Sequence, residues 1–309
     1  MMWRFLPWIF AGLFTGATPQ FVSDPWTASE AVRAWSFVPL PVAGARGPER
    51  LAPERLGVVT SAPLVLVRDV GSGTVLFARH MQTAQPIASL TKLMTALVLV
   101  QDTRWNPDAP ATVLAEDVTE GGRWYLRFGD PVRRADLLSV MLVASGNNET
   151  EALVRLSGKE RAAFVAEMNA EAARLGMGQT HFEDPVGLSP LNTSTPEDVA
   201  VLLDRALAHP ELAARLGRAS MRVVSDAGQE YMIDSTDSLF HSFLNLAPWK
   251  ITGGKTGTLD EAGACLAVRV EREGRVLDLI VLGAATPTER FADVKALATW
   301  VWEVYRWRD

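Results

Sequence analysis

The hydrophobic and polar positions along the chain change their period after about 80 residues. Residues 63–70 (PLVLVRDV) are apolar and β-branched, and residues 74–79 (TVLFAR) follow a Gly-Ser-Gly turn. This pattern predicts a β-hairpin. From Ile87 the sequence IASLTKLMTALVLV runs on without a break in apolar residues and good helix formers. It predicts a buried helix.

Three further segments of the middle region have helical periodicity and recognisable ends. RADLLSVMLVAS (134–145) predicts a helix that a Gly-Asn pair stops, and KERAAFVAEMNAEAARLG (159–176) ends at a glycine in the same way. STPEDVAVLLDRAL (194–207) begins with Ser or Thr as an N-cap and has proline in the first turn. The region between the hairpin and the last hundred residues is therefore predicted to be mostly helical.

The last part of the chain returns to strands and closes with a helix. MRVVS (221–225), ACLAVRV (264–270) and VLDLIVLGAA (276–285) predict strands, and residues 289–305 carry one apolar stripe at helical spacing. Strands therefore lie at both ends of the chain with helices between them. We expect an α+β fold in which helices flank an antiparallel sheet and a mostly helical subdomain is inserted.

The N-terminus carries the pattern of an export signal. Arg4 precedes the apolar run 5–14, and small residues follow at 15–17, as in a secretory signal peptide. The run is shorter than the about 20 apolar residues that span a membrane. We expect residues 1–23 to be removed, leaving no stable membrane span, and the protein to act in the periplasm or on the cell-wall side of the inner membrane. The alternative is an uncleaved anchor.

The remaining chain divides by composition. Residues 24–60 are rich in proline and are predicted to form a leader or linker. One domain is expected from residue 61 to residue 309. Its predicted sheet part comprises 61–100 and 219–309, and its predicted helical part comprises 101–218.

Charge and cysteine content exclude several classes of protein. The formal net charge is -6 and no block of basic residues occurs, so nothing indicates a nucleic-acid partner. Cys265 is the only cysteine, so no internal disulfide can form. The four histidines are scattered and form no metal-binding pair, and one cysteine cannot complete a zinc cluster. The sequence therefore contains no recognisable zinc-binding cluster.

A Gly-Lys-Thr at 254–256 invites comparison with phosphate-binding loops. Such a loop needs a glycine where Trp249 stands, and a helix must follow so that its N-terminus faces the phosphates. The segment after residue 259 reads as a turn and a strand. The nucleotide-binding interpretation therefore fails.

Lysine is rare in this chain, which has 25 arginines and five lysines. A lysine kept where arginine is the default indicates a need for a group that can lose its proton or act as a compact charge. Ser89-Leu90-Thr91-Lys92 places a serine and a lysine on one helix face. Ser145-Gly146-Asn147 follows a helix and Lys255-Thr256-Gly257 lies at the start of a predicted strand. Each motif alone is an ordinary cap or turn, but the three in this order indicate a catalytic site.

With these motifs, the chain resembles the low-molecular-mass penicillin-binding serine D-alanyl-D-alanine peptidases, over roughly residues 61–309. PIASLTKLMTALV, LGMGQTHFEDPVGLS, STPEDVA and GGKTGTLDEAGACL all resemble segments of that family. The last segment is closest to the endopeptidase branch, which cuts peptidoglycan cross-links. The short region after it also fits that branch. The resemblance implies a β-lactamase/transpeptidase-like fold, peptidoglycan stem peptides as substrates and β-lactams as covalent inhibitors. It also implies that neither a metal nor an organic cofactor is needed.

The resemblance also implies roles for four catalytic residues. Ser89 would attack the carbonyl between two D-alanines and form an acyl-enzyme. Lys92 would be its general base. Ser145 and Lys255 would relay the proton to the leaving amine.

A second group implied by the resemblance would bind the substrate. Asn147 would hold the substrate amide, and Thr256 would bind a carboxylate or an amide. The backbone N–H groups of Ser89 and Thr258 would form the oxyanion hole. Gly257 completes this group.

Several positions depart from the family pattern. Asn148 and Glu149 stand where relatives often have a small residue, and Thr258 replaces a residue that is often aromatic. STDSLF (235–240) stands where relatives show an Asn-Thr-Asn segment. These departures bear on substrate preference.

Two alternatives to the peptidase remain open from the sequence. A serine β-lactamase shares the fold and two motifs, but no Glu-x-x-Leu-Asn segment occurs between Asn147 and Lys255 to hold its water. A penicillin-binding sensor without catalysis would keep the fold alone. The retention of both motif lysines argues against the sensor.

Overall fold

The computed structural model describes residues 47–51, 57–119, 121 and 123–308. Its helices are α1 (Lys92–Gln101), α2 (Arg134–Val143), α3 (Asn147–Leu156), α4 (Arg161–Arg174), α5 (Pro196–Ala208), α6 (Pro210–Leu216) and α7 (Pro287–Val304). Its strands are β1 (Glu49–Arg50), β2 (Leu64–Asp69), β3 (Val75–Arg79), β4 (Gln85–Pro86), β5 (Pro110–Ala111), β6 (Val132–Arg133), β7 (Thr193–Ser194), β8 (Ser220–Val224), β9 (Glu230–Asp234), β10 (Trp249–Leu259), β11 (Gly263–Arg272), β12 (Arg275–Ala284) and β13 (Tyr305–Arg306).

The predicted signal peptide and most of the predicted leader lie outside the described residues. Within the leader, β1 pairs with β13, an element that the sequence did not predict. No helix in the described ranges has both the length and the apolarity that crossing a membrane requires.

The main sheet has five strands in the order β10-β11-β12-β2-β3, and every neighbouring pair is antiparallel. Strands β2 and β3 form the predicted hairpin, which adds to the edge of the three-stranded unit β10-β11-β12 at β12. Both ends of the chain therefore build one antiparallel sheet, as predicted from the order of the elements.

Both faces of the sheet are covered. Val65 and Val67 face the core beneath α7, whereas Leu64 and Leu66 face the core shared with the helical region. Alternate residues of a strand point to opposite faces, so a strand buried on both sides is apolar almost throughout. The sheet is thus sandwiched between one C-terminal helix and the inserted helices.

A buried carboxylate fastens the helical region to the sheet. Asp278 in β12 is fully buried and accepts hydrogen bonds from Arg68 in β2 (2.9 Å) and Arg269 in β11 (2.7 Å). Arg269 also contacts Asp204 of α5 at 2.5 Å, and Arg68 donates to the carbonyl of Ala200 in the same helix. Three strands and one helix therefore meet at this charge cluster.

Three local predictions differ from the structure. The helix predicted from Ile87 begins as a 3-10 turn, Ala88–Thr91, because Ala88 adopts a positive φ of 48° that an α-helix does not allow. The Gly-Asn pair predicted to stop α2 instead begins α3 at Asn147, because α2 already ends at Val143. Strand β10 begins at Trp249, six residues before the predicted strand start at Lys255, because the intervening glycines weaken the strand pattern.

Candidate active site

Ser89 lies in the 3-10 turn at the start of α1, between the sheet and the helical region. The positive φ of Ala88 (48°) is a strained conformation for a residue with a side chain. The turn leaves Ser89 partly exposed while its neighbours Ala88 and Leu90 are buried. Its hydroxyl is thereby presented at the surface of an otherwise apolar turn.

Lys92 is the first residue of α1 and lies directly behind this hydroxyl. Its Nζ is 3.0 Å from Ser89 Oγ, 2.8 Å from Asn147 Oδ1 and 2.7 Å from the carbonyl oxygen of Val186. The side chain is fully buried. Burial lowers the pKa of Lys92 to about 7, although Asp184 and other nearby acids act in the opposite direction.

Ser145 lies between α2 and α3 with a positive φ of 63°, so it is the second strained residue at this site. Its Oγ accepts a hydrogen bond of 2.8 Å from Lys255 Nζ, which also donates to the carbonyl of Thr256 at 3.0 Å. Lys255 comes from the central part of β10. Two separate serine–lysine pairs therefore meet at this site. Ser89 and Lys92 come from the turn and the start of α1, whereas Ser145 comes from the junction of α2 and α3 and Lys255 from β10.

The environment of Lys255 also favours its neutral form. The side chain is 1% exposed. Burial lowers its pKa well below the usual value, and the nearby positive charges of Lys92 and Arg290 lower it further. Asp237 acts in the opposite direction.

The substrate-binding residues predicted on β10 line the opposite side of the site. Thr256 Oγ1 is 2.5 Å from Thr236 Oγ1, and Thr258 Oγ1 accepts a hydrogen bond of 2.8 Å from Arg290. A methyl group placed on Gly257 would lie 2.7 Å from the carbonyl oxygen of Ile87. Glycine at this position therefore lets β10 pass close to the turn that holds Ser89.

A loop anchored by Asp184 forms the floor behind Lys92. One carboxylate oxygen of Asp184 accepts from the backbone N–H groups of Val186 and Gly187, both at 2.6 Å, and the other accepts from Ser189 at 2.6 Å. This cage fixes the Val186 carbonyl that contacts Lys92. Gly187 has φ +89°, and a side chain there would overlap the carbonyl oxygen of Ala88.

All eight residues predicted from the motifs converge here. Asn147 contacts Lys92 directly, whereas the neighbouring Asn148 points away and accepts a hydrogen bond from Thr119 N at 3.0 Å. The open cleft has a volume of about 1010 Å³ and is lined by most of the predicted residues. Lys92 and Lys255 lie behind its wall.

Several residues that line the cleft were not predicted from the sequence, and three of them carry polar groups that contact other parts of the site or its walls. These three are Tyr125, Thr236 and Arg290. Thr236 belongs to STDSLF (235–240), a segment that departs from the family pattern, and this departure could have indicated that Thr236 lies at the site. Tyr125 lies in an irregular segment and Arg290 is one of 25 arginines, so neither is distinguishable without the fold.

The arrangement has the chemical requirements of nucleophilic catalysis. A serine hydroxyl within hydrogen-bond distance of a lysine with a lowered pKa can transfer its proton to that lysine. A second lysine–serine pair, at the other side of the same cleft, can pass a proton to a leaving group. An antiparallel sheet with a helical insertion, carrying Ser-x-x-Lys, Ser-x-Asn and Lys-Thr-Gly in this order, defines the class of active-site-serine enzymes that includes penicillin-binding peptidases and β-lactamases.

Comparison with known proteins identifies the family within this class. A family profile described as D-alanyl-D-alanine carboxypeptidase matches residues 53–286. The chain is 32% identical to a D-alanyl-D-alanine endopeptidase of Pseudomonas aeruginosa over 76% of each chain. It is 30% identical to a D-alanyl-D-alanine endopeptidase of Escherichia coli over 82% of this chain and 83% of that one. The chain belongs to the D-alanyl-D-alanine carboxypeptidase family of serine peptidases.

A solved structure confirms the fold expected from the resemblance. The DD-transpeptidase of Streptomyces K15 superimposes with a TM-score of 0.73 at 25% identity, covering 81% of this chain and all of that one. The predicted α+β, β-lactamase/transpeptidase-like fold is therefore confirmed.

Proposed function

We propose that this protein hydrolyses D-alanyl-D-alanine-type amide bonds of peptidoglycan stem peptides through an acyl-enzyme on Ser89. The observation that carries the proposal is the 3.0 Å contact between Ser89 Oγ and a fully buried Lys92 with a lowered pKa. A lysine that is neutral at physiological pH can act as a base, whereas an ordinary surface lysine cannot.

The acylation step uses both serine–lysine pairs. Neutral Lys92 takes the proton of Ser89 while Ser89 Oγ bonds to the substrate carbonyl carbon. The tetrahedral oxyanion receives hydrogen bonds from the backbone N–H groups of Ser89 and Thr258. The C–N bond then breaks as the leaving amine receives a proton relayed through Ser145 and Lys255. Water attacks the ester, restores Ser89 and releases the acid.

The remaining cleft residues hold the substrate. Asn147 bonds the amide of the acyl portion, and Thr256 bonds a carboxylate or amide on the leaving portion. Because Gly257 has no side chain, β10 can lie close to the turn that holds Ser89, beside the reacting carbonyl. A β-lactam presents a strained amide to the same groups, so it acylates Ser89 and inhibits the enzyme.

The bond preferred by the enzyme is a finer part of the proposal. The two relatives from Pseudomonas aeruginosa and Escherichia coli are named endopeptidases, which supports cleavage of cross-links between stem peptides. Such substrates lie in the cell wall, so the proposal places the protein on the exported side of the inner membrane. Residues 1–23 would supply the export signal, and the domain from residue 61 onwards would be the catalytic part.

The test uses purified cross-linked peptidoglycan dimers with the exported fragment and its Ser89→Ala variant, and reads product masses. We expect the wild type to split dimers into monomers and Ser89→Ala to leave them intact. Dimers that lose only a terminal D-alanine would assign the carboxypeptidase activity instead. Full activity in Ser89→Ala would refute the acyl-enzyme.

A parallel assay with penicillin separates the two alternatives. Slow release of the acyl group fits a peptidase, whereas rapid turnover of penicillin would assign a β-lactamase. Stable acylation of Ser89 without cleavage of any stem peptide would assign a sensor.

A further inference from the structure

Glu149 is a buried acid beside the site that the reaction described above does not use. It is the third residue of α3 and is 1% exposed. Its Oε2 atom has no hydrogen-bond partner among the described residues. A carboxyl group in such a place costs free energy, so its position next to two catalytic segments calls for an explanation.

The carboxyl group lies directly beneath the Ser145-Gly146-Asn147 turn. A methyl group placed on Gly146 would overlap Glu149 Oε2 and lie 2.9 Å from Glu149 Cδ. Glu149 therefore fills the space that a side chain at position 146 would occupy. The residues on either side of Gly146 are the ones that bond Lys255 and Lys92.

The charges of Glu149 and Lys92 act on each other. Burial raises the pKa of Glu149 to about 7, and Lys92 acts in the opposite direction. Burial lowers the pKa of Lys92 to about 7, and Glu149 is among the acids that oppose this. The charge of Glu149 also acts to raise the pKa of Tyr125, and the charge of Lys92 acts to lower the pKa of Lys255.

The other two acids that act on Lys92 are already committed. Asp184 accepts backbone hydrogen bonds on both oxygens. Glu151 pairs with the partly exposed Arg161 at 3.0 Å. Of the three acids, Glu149 alone keeps a buried oxygen without a partner among the described residues, so its charge is the one that hydrogen bonds do not fully compensate.

We propose that Glu149 is a positioning residue whose carboxyl group, buried beneath the turn that carries Asn147, acts through its charge on Lys92 and so sets the pH at which Lys92 can deprotonate Ser89. While Glu149 is a carboxylate it stabilises the Lys92 ammonium and holds the base inactive. When Glu149 is protonated this stabilisation is lost, so Lys92 gives up its own proton more readily and can then accept the Ser89 proton. This inference rests on the proposed role of Lys92.

The test is the pH profile of Ser89 acylation by a fluorescent penicillin between about pH 5 and 9. In Glu149→Gln the amide cannot carry the negative charge that stabilises the Lys92 ammonium. The acid limb of the profile, where the acylation rate falls as the pH is lowered, should therefore move down by about one pH unit. Acylation at pH 6 should then be up to about tenfold faster than in the wild type. Glu151→Gln, which removes an acid already paired with Arg161, is the matched control and should shift the limb much less.

A second variant tests the same point without changing the acid. Gly146→Ala would push the carboxyl group away from its place beneath the turn, so its acid limb should move in the same direction. Melting temperatures identify a variant that does not fold, in which case the other variant decides. Superimposable limbs, or a uniform loss of rate at every pH, would overturn the inference and leave Glu149 a structural residue.

Failure of this inference differs from failure of the proposed function. If the wild type is acylated at Ser89 but neither variant moves the limb, the function stands and the inference falls. If penicillin does not acylate the wild type at any pH, the role of Lys92 on which the inference rests falls with it.

Discussion

At the scale of single residues, the site depends on backbone conformations that could not be predicted from the residue types. Ala88 and Ser145 both have positive φ although neither is glycine. Such conformations cost about 1–3 kcal/mol each and persist only where the surroundings enforce them. For Ala88 the surrounding structure includes the backbone of the loop at Gly187, which packs against its carbonyl.

Gly187→Ala tests that enforcement. The added methyl would overlap the Ala88 carbonyl oxygen and lie 2.9 Å from Ser89 N, and φ is +89°. We expect the free energy of unfolding to fall by about 2–5 kcal/mol, from the left-handed conformation and the overlap together. Penicillin acylation should slow as well, because the turn that carries Ser89 must shift. Urea unfolding and acylation kinetics measure both effects.

Gly228→Ala is the matched control. Gly228 has φ +80°, and no atom would contact a methyl group there within 4 Å. It should lose only about 1–2 kcal/mol, from the conformation alone, with unchanged acylation. Equal losses in the two variants would mean that the contact with Ala88 has no energetic weight.

At the scale of elements, the period of the hydrophobic pattern was sufficient for the sheet and the long helices. It failed where short segments serve the site. Strand β9 and the six residues before Lys255 in β10 were not predicted, because glycines and polar residues interrupt their alternation. Helix α3 was missed because its start, a Gly-Asn pair only three residues after the end of α2 at Val143, was interpreted as a helix stop.

The sequence singled out residues that the fold brings together, although it did not predict all of the elements that carry them. Ser89, Lys92 and Lys255 were found through the scarcity of lysine and the order of the motifs. Arg290 was not, because its contacts with Gly257 and Thr258 depend on how α7 packs on the sheet. Chemistry that depends on residue type can be read from sequence, whereas chemistry that depends on packing needs the fold.

The charge cluster at Asp278 joins elements that the local pattern treats separately. Asp278→Asn would leave Arg68 and Arg269 without their shared carboxylate in a place where Asp278 is fully buried. We expect a loss of about 3–5 kcal/mol in the free energy of unfolding, measured by urea denaturation.

Glu230→Gln is the control for Asp278→Asn. It breaks the Arg222–Glu230 pair, in which both side chains are 59% exposed, and should cost less than about 1 kcal/mol. A small loss of unfolding free energy in Asp278→Asn, similar to that of the control, would mean that water or another group replaces the hydrogen bonds that the two arginines make to Asp278.

At the scale of the whole catalytic domain, the site unites distant parts of the chain at a cost in stability. Two lysines, Lys92 and Lys255, are fully buried, and the charge of Lys92 lowers the affinity of Lys255 for protons. A core of this size would be more stable with apolar side chains at both positions. Their retention at the expense of stability is what the proposed catalytic roles of the two lysines would require.

Lys255→Met makes this cost measurable. We expect the variant to lose peptidase activity and to gain about 1–3 kcal/mol in the free energy of unfolding at pH 7. Lys250→Met in the exposed part of the same strand is the control and should change stability by less than about 0.5 kcal/mol.

The gain in Lys255→Met must also depend on pH in a defined direction. The pKa of Lys255 is lowered in the folded state, whereas it is 10.5 in a freely solvated chain. Between these two values the unfolded chain binds more protons than the folded one, so wild-type stability rises with pH. The advantage of Lys255→Met should therefore shrink between about pH 7 and pH 10, when urea unfolding of both proteins is compared across that range. A constant advantage would mean that packing of the methionine, and not removal of a buried base, causes the stabilisation.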